Sequence, residues 1–165
     1  MGNVNKKMIS TYELMPIIAE MLNNGQKVKF TVTGTSMFPW IVSNRDQVLL
    51  SGTKKNRPRL GDIILFRDDS SKYILHRIYK REANGYRTIG DGCLQEDGLV
   101  EPEDIIGVVE IIYRKEEEID CYSFPWRYVF LLWRKLLPIR RHLLGIYFWL
   151  VKVKATPRAY KRYRR

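Results

Sequence analysis

The chain has 165 residues, a formal net charge of +11, 45% hydrophobic and 28% charged side chains. That is about one domain with room for a core, and it argues against wholesale disorder. Two cysteines without a C-x-x-C pair (Cys93, Cys121) and only two histidines exclude a disulfide scaffold and a structural zinc cluster, so no metal or cofactor is expected. The charge is unevenly placed: residues 1–121 hold 17 basic and 18 acidic side chains, residues 122–165 hold 12 basic and none acidic. This is a near-neutral domain with a basic tail. The opening MGNVNKKMISTYELMPIIAEMLNNG lacks the apolar core of a secretory signal, and Lys6 stands where a myristoylation signal needs Ser or Thr. No 18-residue uncharged apolar stretch occurs, so a conventional membrane span is not expected.

Taken in order, Tyr12, Met15, Ile18 and Leu22 share one face of a helix over 9–22. Ser10 with Glu13 has the form of a capping box, and Gly25 suits the helix end. Pro16 predicts a kink or a later start. Residues 27–33 alternate and are β-branched, which predicts a strand. Segments 47–51, 62–66, 72–80, 86–89 and 105–114 have strand character too, separated by Ser51-Gly52, Arg57-Pro58, Asn84-Gly85 and Asp91-Gly92. Short strands with frequent turns predict a mainly β chain, a twisted antiparallel β-domain or partly open barrel. After Glu116-Glu117-Glu118 and Asp120 the composition changes, and Pro138 divides 124–154 into two amphipathic helices. The expected organisation is an N-terminal helix (1–26), a β-rich catalytic domain (27–121) and a basic aromatic tail (122–165).

In the tail, Arg127, Arg134 and Arg141 are seven apart and Lys152 follows, forming a narrow stripe that Lys135 and Arg140 widen. Tyr128, Phe130, Leu131, Leu132, Leu136, Leu143, Ile146, Tyr147 and Leu150 occupy the other faces. This is the pattern of a helix in a membrane interface with its cations toward anionic headgroups. The expected partner of residues 126–153 is an anionic membrane surface or a membrane protein, with the chain peripheral at the cytoplasmic membrane. The alternative is a helix pair folded onto the β-domain with a solvated basic face. The segment TPRAYKRYRR interleaves basic residues with tyrosines, but no nucleic-acid fold accompanies it, so nucleic acid is not the expected partner.

The sharpest local signal is Thr33-Gly-Thr-Ser-Met-Phe-Pro39, where a strand ends, a glycine allows a tight turn and Ser36 is presented. Serine is a weak nucleophile until a base takes its proton, and alone this reads equally as a turn serine bonded locally. Arg59-Leu-Gly-Asp-Ile-Ile-Leu-Phe66 puts Gly-Asp before an apolar strand. Tyr73-Ile-Leu-His-Arg-Ile-Tyr79 puts His76 between Ile74 and Ile78 on one strand face, where a core histidine is the plain reading. Ile89-Gly-Asp-Gly-Cys-Leu-Gln-Glu-Asp97 carries two carboxylates six apart. Asp104 reads as a turn or cap acid.

In order and spacing, Ser-Met-x-Pro, Gly-Asp-Ile, His-Arg and Gly-Asp with a second acid six later resemble the signal peptidase I family over about residues 30–110. A histidine where bacterial members have lysine makes the resemblance one to the endoplasmic-reticulum and archaeal branch, with LexA-type self-cleaving proteases as distant kin. The resemblance implies an irregular antiparallel β-domain and a serine endopeptidase. It makes Ser36 the nucleophile, His76 the general base and Asp97 the acid supporting the histidine, while Asp91 and Asp62 match structural positions. It also implies a peptide or preprotein substrate with a leader or signal segment. Gly34 departs from the many members that have a serine there to help the oxyanion hole. The transmembrane helix that members carry before the serine motif is replaced by the modest helix over 9–22, which implies a specialised peptidase trimming a leader at the membrane. A non-catalytic peptide-binding module on the same fold, and a repressor-related nucleic-acid-associated protein, are the alternatives.

Overall fold

The computed structural model describes residues 11–54 and 57–152. The Ser10 cap, the side chain of Tyr12 and the segment TPRAYKRYRR lie outside the described residues. Helix α1 (Thr11–Asn23) contains Pro16 without interruption. Three of the four residues expected on its inner face, Met15, Ile18 and Leu22, are buried. The helix ends at Gly25, which takes φ +78 while its N–H donates to Leu22 O and the next N–H, of Gln26, to Met21 O. Positive φ at the residue after a helix favours glycine.

Eight strands follow, β1 (Val28–Thr31), β2 (Asp46–Gly52), β3 (Ile63–Arg67), β4 (Tyr73–Glu82), β5 (Gly85–Ile89), β6 (Leu99–Val100), β7 (Ile105–Arg114) and β8 (Glu117–Asp120). They form one antiparallel sheet in the order β1-β2-β7-β3-β4-β5-β6, with β8 paired to β7. The long strand β7 organises it: its first half lies between β2 and β3, and its second half carries β8 where β3 has left off. Register shifts at Leu49/Leu50, Leu65/Phe66 and Ile78/Lys80 interrupt the ladders. Such irregularities bend strands and increase twist. The end strands β1 and β6 do not pair with one another, so the sheet is open.

Both faces of the sheet are covered, which explains the unbroken apolar run of β3. Ile63 and Leu65 enter the cluster formed with α1, Val28, Val48, Leu50, Val109 and Ile112. Ile64 and Phe66 enter a second cluster with Ile78, Val100, Ile105 and Val108. Two helices follow β8: α2 (Phe124–Lys135) and α3 (Arg140–Lys152), joined through a 3-10 turn at Leu137–Ile139 that contains Pro138. No helix among the described residues is long and apolar enough to cross a membrane.

The tail's orientation corrects one expectation. Arg127 and Arg134 do share a face of α2, but that face turns inward. Arg127 bonds Asp62 and the Leu60 carbonyl, and Arg134 bonds the Tyr79 carbonyl at 2.9 Å. Arg140, which widened the stripe, is 1% exposed. Helical periodicity groups residues by angle and cannot say which group meets the rest of the chain. Here burial of Trp126, Phe130 and Trp133 brings in the arginines beside them, and backbone carbonyls and Asp62 satisfy part of their charge.

Candidate active site

Ser36 leaves β1 on a turn that Gly34 makes possible. Gly34 has φ +94, a conformation that side chains rarely adopt, although a Cβ there would meet nothing within 4 Å. The glycine is therefore explained by backbone, not by crowding. Its N–H donates to Ser43 Oγ at 3.2 Å, so it is committed to the turn. The chain then continues through Met37, which is buried, and a cis Phe38–Pro39 bond.

His76 comes from the middle of β4, opposite Ile64 of β3. Its Nδ1 donates to Asp97 Oδ2 at 2.6 Å, and the two side chains are 11% and 22% exposed. The same carboxylate oxygen accepts from Thr88 Oγ1 at 2.7 Å, and the Asp97 N–H donates to the Thr88 carbonyl at 2.9 Å. Thr88 is fully buried on β5, so Asp97 is fixed from two sides. A carboxylate on Nδ1 selects the tautomer that leaves Nε2 unprotonated as a proton acceptor.

Ser36 and His76 line one cleft of about 300 Å³, together with Met15, Phe30, Val32, Leu65 and Tyr73. Gly90 lies against both. A Cβ on Gly90 would stand 2.6 Å from the Ser36 carbonyl oxygen, 2.7 Å from Cys93 Sγ and 3.0 Å from His76 Nε2. The Ser36 carbonyl is also held by the Gly92 N–H at 2.8 Å. Ser36, the imidazole and the loop after β5 thus meet around one glycine. Among the described residues no hydrogen bond yet joins Ser36 Oγ to His76; in unliganded sites such contacts are often long and tighten with substrate.

Of the other predicted residues, neither Asp91 nor Asp62 touches the cleft. Asp91 is fully buried and accepts from two arms of Arg77, Nε and Nη2, at 2.8 and 2.7 Å. Arg77 follows His76 in sequence and points the other way; its third arm reaches the Gly61 carbonyl at 2.7 Å, and its guanidinium lies 4.2 Å from the Phe130 ring centroid. The His-Arg step therefore sends one residue to the cleft and the other to a buried ion pair that anchors the start of the loop carrying Asp97. Asp62 accepts from the Arg59 N–H at 2.7 Å and from Arg127. Burial raises its pKa, with Arg127 opposing. Asp104 closes a 3-10 turn, Pro102–Asp104.

Sequence reasoning gave Thr88, Arg77 and Gly90 no role, and placed Arg140 only in the basic stripe of the tail. Arg140, the first residue of α3, donates to the Gly90 carbonyl at 3.1 Å. Thr88 and Ile89 are both buried on β5, so alternation does not mark Thr88; the buried Asp91 calls for a cation, and nothing local announces Arg140. Cys93 has a thiol whose pKa is pushed up by burial and by Asp97, with Arg140 opposing. A protonated thiol is a poor nucleophile, and Cys93 does not line the cleft that Ser36 and His76 share. Trp40 and Ile41 are packing residues: Ile41 is buried, and Trp40 meets Trp126, Phe130 and Trp133 edge-on.

No protein-family model and no curated protein matches the chain.

Proposed function

We propose that this chain is a serine endopeptidase of the signal peptidase type, Ser-His branch, which removes a leader or signal segment from a peptide or protein presented at a membrane. The observation that carries the reading is that His76, which shares a cleft with Ser36, is bonded from behind to Asp97, itself held by Thr88. In this mechanism Ser36 Oγ attacks the scissile carbonyl while His76 Nε2 takes its proton. The imidazolium is stabilised by Asp97 and then protonates the leaving amine. Water, activated by the same imidazole, releases the acyl group from Ser36. Gly34 supplies no hydroxyl and its N–H is engaged with Ser43, so the Ser36 N–H is the donor assigned to the developing oxyanion. The apolar lining by Met15, Phe30, Val32 and Leu65 suits an extended segment with apolar side chains, as a leader cleavage region offers.

The test is to express wild type and Ser36→Ala in the native host and to map peptide N-termini in cytosolic, membrane and secreted fractions by mass spectrometry. N-termini that depend on Ser36 are expected, and their fraction identifies the face of the membrane served. Identical N-termini in both strains, with protein and expressed substrates present, would replace the peptidase by a peptide-binding module on the same fold.

A further inference from the structure

Helices α2 and α3 are two-sided in a way that their inward arginines conceal. Of the eleven exposed large hydrophobic side chains among the described residues, seven fall between 124 and 149. Phe124, Tyr128 and Leu132 are spaced by four along α2 and share its outer face. Ile146 and Trp149 are three apart on one face of α3, and Ile139 stands exposed in the turn before it. Phe124 is 86% exposed and Trp149 65%. Scattered exposed apolar residues need no explanation, but a concentration of this kind marks an interaction surface.

The charges on the same outer side are of one sign. Lys135 and Arg141 are exposed. Neither Lys135 nor Arg141 has a carboxylate partner among the described residues, in contrast to Arg127. The sequence from 122 onward contains no acid at all. The inward face has already used Arg127, Arg134 and Arg140 to dock the helices, so the outer cations are surplus to folding.

We infer that the outer face of α2 and α3 is a docking surface for an anionic bilayer. Phe124, Tyr128, Leu132, Ile139, Ile146 and Trp149 enter the boundary between headgroups and acyl chains, and Lys135 and Arg141 lie against the headgroups. A bilayer interface offers apolar and anionic chemistry in one plane, which is what a face of aromatics, aliphatics and unpaired cations requires. Helices too short and too charged to span can still lie in that plane. The lipid contact is thus assigned to an apolar row, not to the arginine stripe that periodicity suggested. It does not depend on Ser36 chemistry and stands or falls separately from the peptidase reading.

The experiment is co-sedimentation of the full chain with vesicles of phosphatidylcholine alone and of phosphatidylcholine with phosphatidylglycerol, read also by tryptophan fluorescence. Partitioning onto the anionic vesicles is expected to be at least ~10-fold stronger and to weaken sharply in ~0.5 M salt. A blue shift on binding is expected to be lost in Trp149→Phe. The double change Phe124→Glu with Trp149→Glu replaces exposed side chains and is expected to leave the melting temperature unchanged while lowering partitioning by at least ~10-fold. Lys135→Glu with Arg141→Glu gives an independent reading if the first variant folds poorly, with the same loss expected. Failure of the folded wild type to bind anionic vesicles would overturn the proposal and leave an acidic protein partner as the occupant of this face. Equal binding to neutral vesicles, or variants that bind like wild type, would overturn it as well.

Discussion

Replacing Gly90 by alanine adds one methyl group at the point where three parts of the site meet. That methyl carbon would stand 2.6 Å from the Ser36 carbonyl oxygen, 2.7 Å from Cys93 Sγ and 3.0 Å from His76 Nε2. The cysteine side chain can rotate away. The Ser36 carbonyl is backbone and is held by the Gly92 N–H, and the imidazole is held by Asp97, so neither yields freely. Restoring van der Waals distance needs a shift of ~0.7 Å between the serine loop and the loop after β5, at an overpacking cost of ~1–3 kcal/mol. A displacement approaching ~1 Å between reacting groups costs on the order of 100-fold in rate. The assay is the second-order rate constant for labelling of Ser36 by a fluorophosphonate, paired with urea unfolding. Labelling in Gly90→Ala is expected to fall by ~100-fold, beyond what the loss of folded protein explains. Gly98→Ala is the matched control, since a Cβ there meets nothing within 4 Å, and it is expected to behave as wild type. Wild-type labelling and stability in Gly90→Ala would refute the assembly of Ser36 and His76 around this glycine.

Asp97→Asn keeps the shape of the side chain and removes the charge that fixes the imidazole. Ser36 labelling is expected to drop by ~10²–10⁴-fold with a small change in melting temperature; unaltered labelling would remove Asp97 from the mechanism. Arg77→Met leaves Asp91 buried without its cation and is expected to destabilise by ~3–5 kcal/mol in urea unfolding, with much of the loss recovered when Asp91→Leu is added. Burial pushes the Cys121 thiol up to about 12, above its unfolded value. The folded chain therefore binds more protons between those values, and the stability that the thiol contributes is intact below pH ~9 and lost as pH rises toward 12. Comparing unfolding of wild type and Cys121→Ala at pH 8 and pH 10.5 is expected to show a wild-type-specific loss at the higher pH. Equal pH dependence of the two would show that the thiol is not held in the folded state.

The sheet was legible where strands are long and alternate. Six of its strands correspond to segments marked by β-branched residues and turn signals, each end within two residues. The two that were not marked have physical reasons. Strand β6 is two residues long and offers no period. Strand β8 reads Glu-Glu-Ile-Asp and buries only Ile119, so its composition suggests a loop, and its existence depends on β7 extending beyond β3. Helix α1 continues through Pro16 although proline argues for a break, and burial of Met15, Ile18 and Leu22 on both sides of it offsets the lost backbone bond. At the site, the pairing of His76 with Asp97 followed from the family resemblance; the residues alone read His76 as a core histidine. The Arg77–Asp91 pair was not readable: alternation puts Arg77 on the face opposite His76, but no local pattern says that Asp91 is buried against it.

The tail is where sequence periodicity and tertiary structure diverge, and the divergence bears on the site. Composition separates residues 122–165 from the β-domain, yet the described part of that segment touches each loop the chemistry would use. Tyr147 stacks edge-on against Phe38 at 4.9 Å, two residues after Ser36. Trp126, Phe130 and Trp133 surround Trp40. Arg140 holds the Gly90 carbonyl, and Phe130 lies against the guanidinium that fixes Asp91. A serine turn of six or seven residues has too few contacts of its own to hold a nucleophile to a fraction of an ångström, and such precision requires side chains locked by packing around it. Here the packing comes from α2 and α3. Their inner faces brace the serine turn and the loop after β5, while their outer faces carry the exposed apolar row. Through Tyr147, Trp133 and Arg140 the helix pair packs against the serine turn and the Gly90 carbonyl, so it is part of the packing around Ser36 and not an appendage to it.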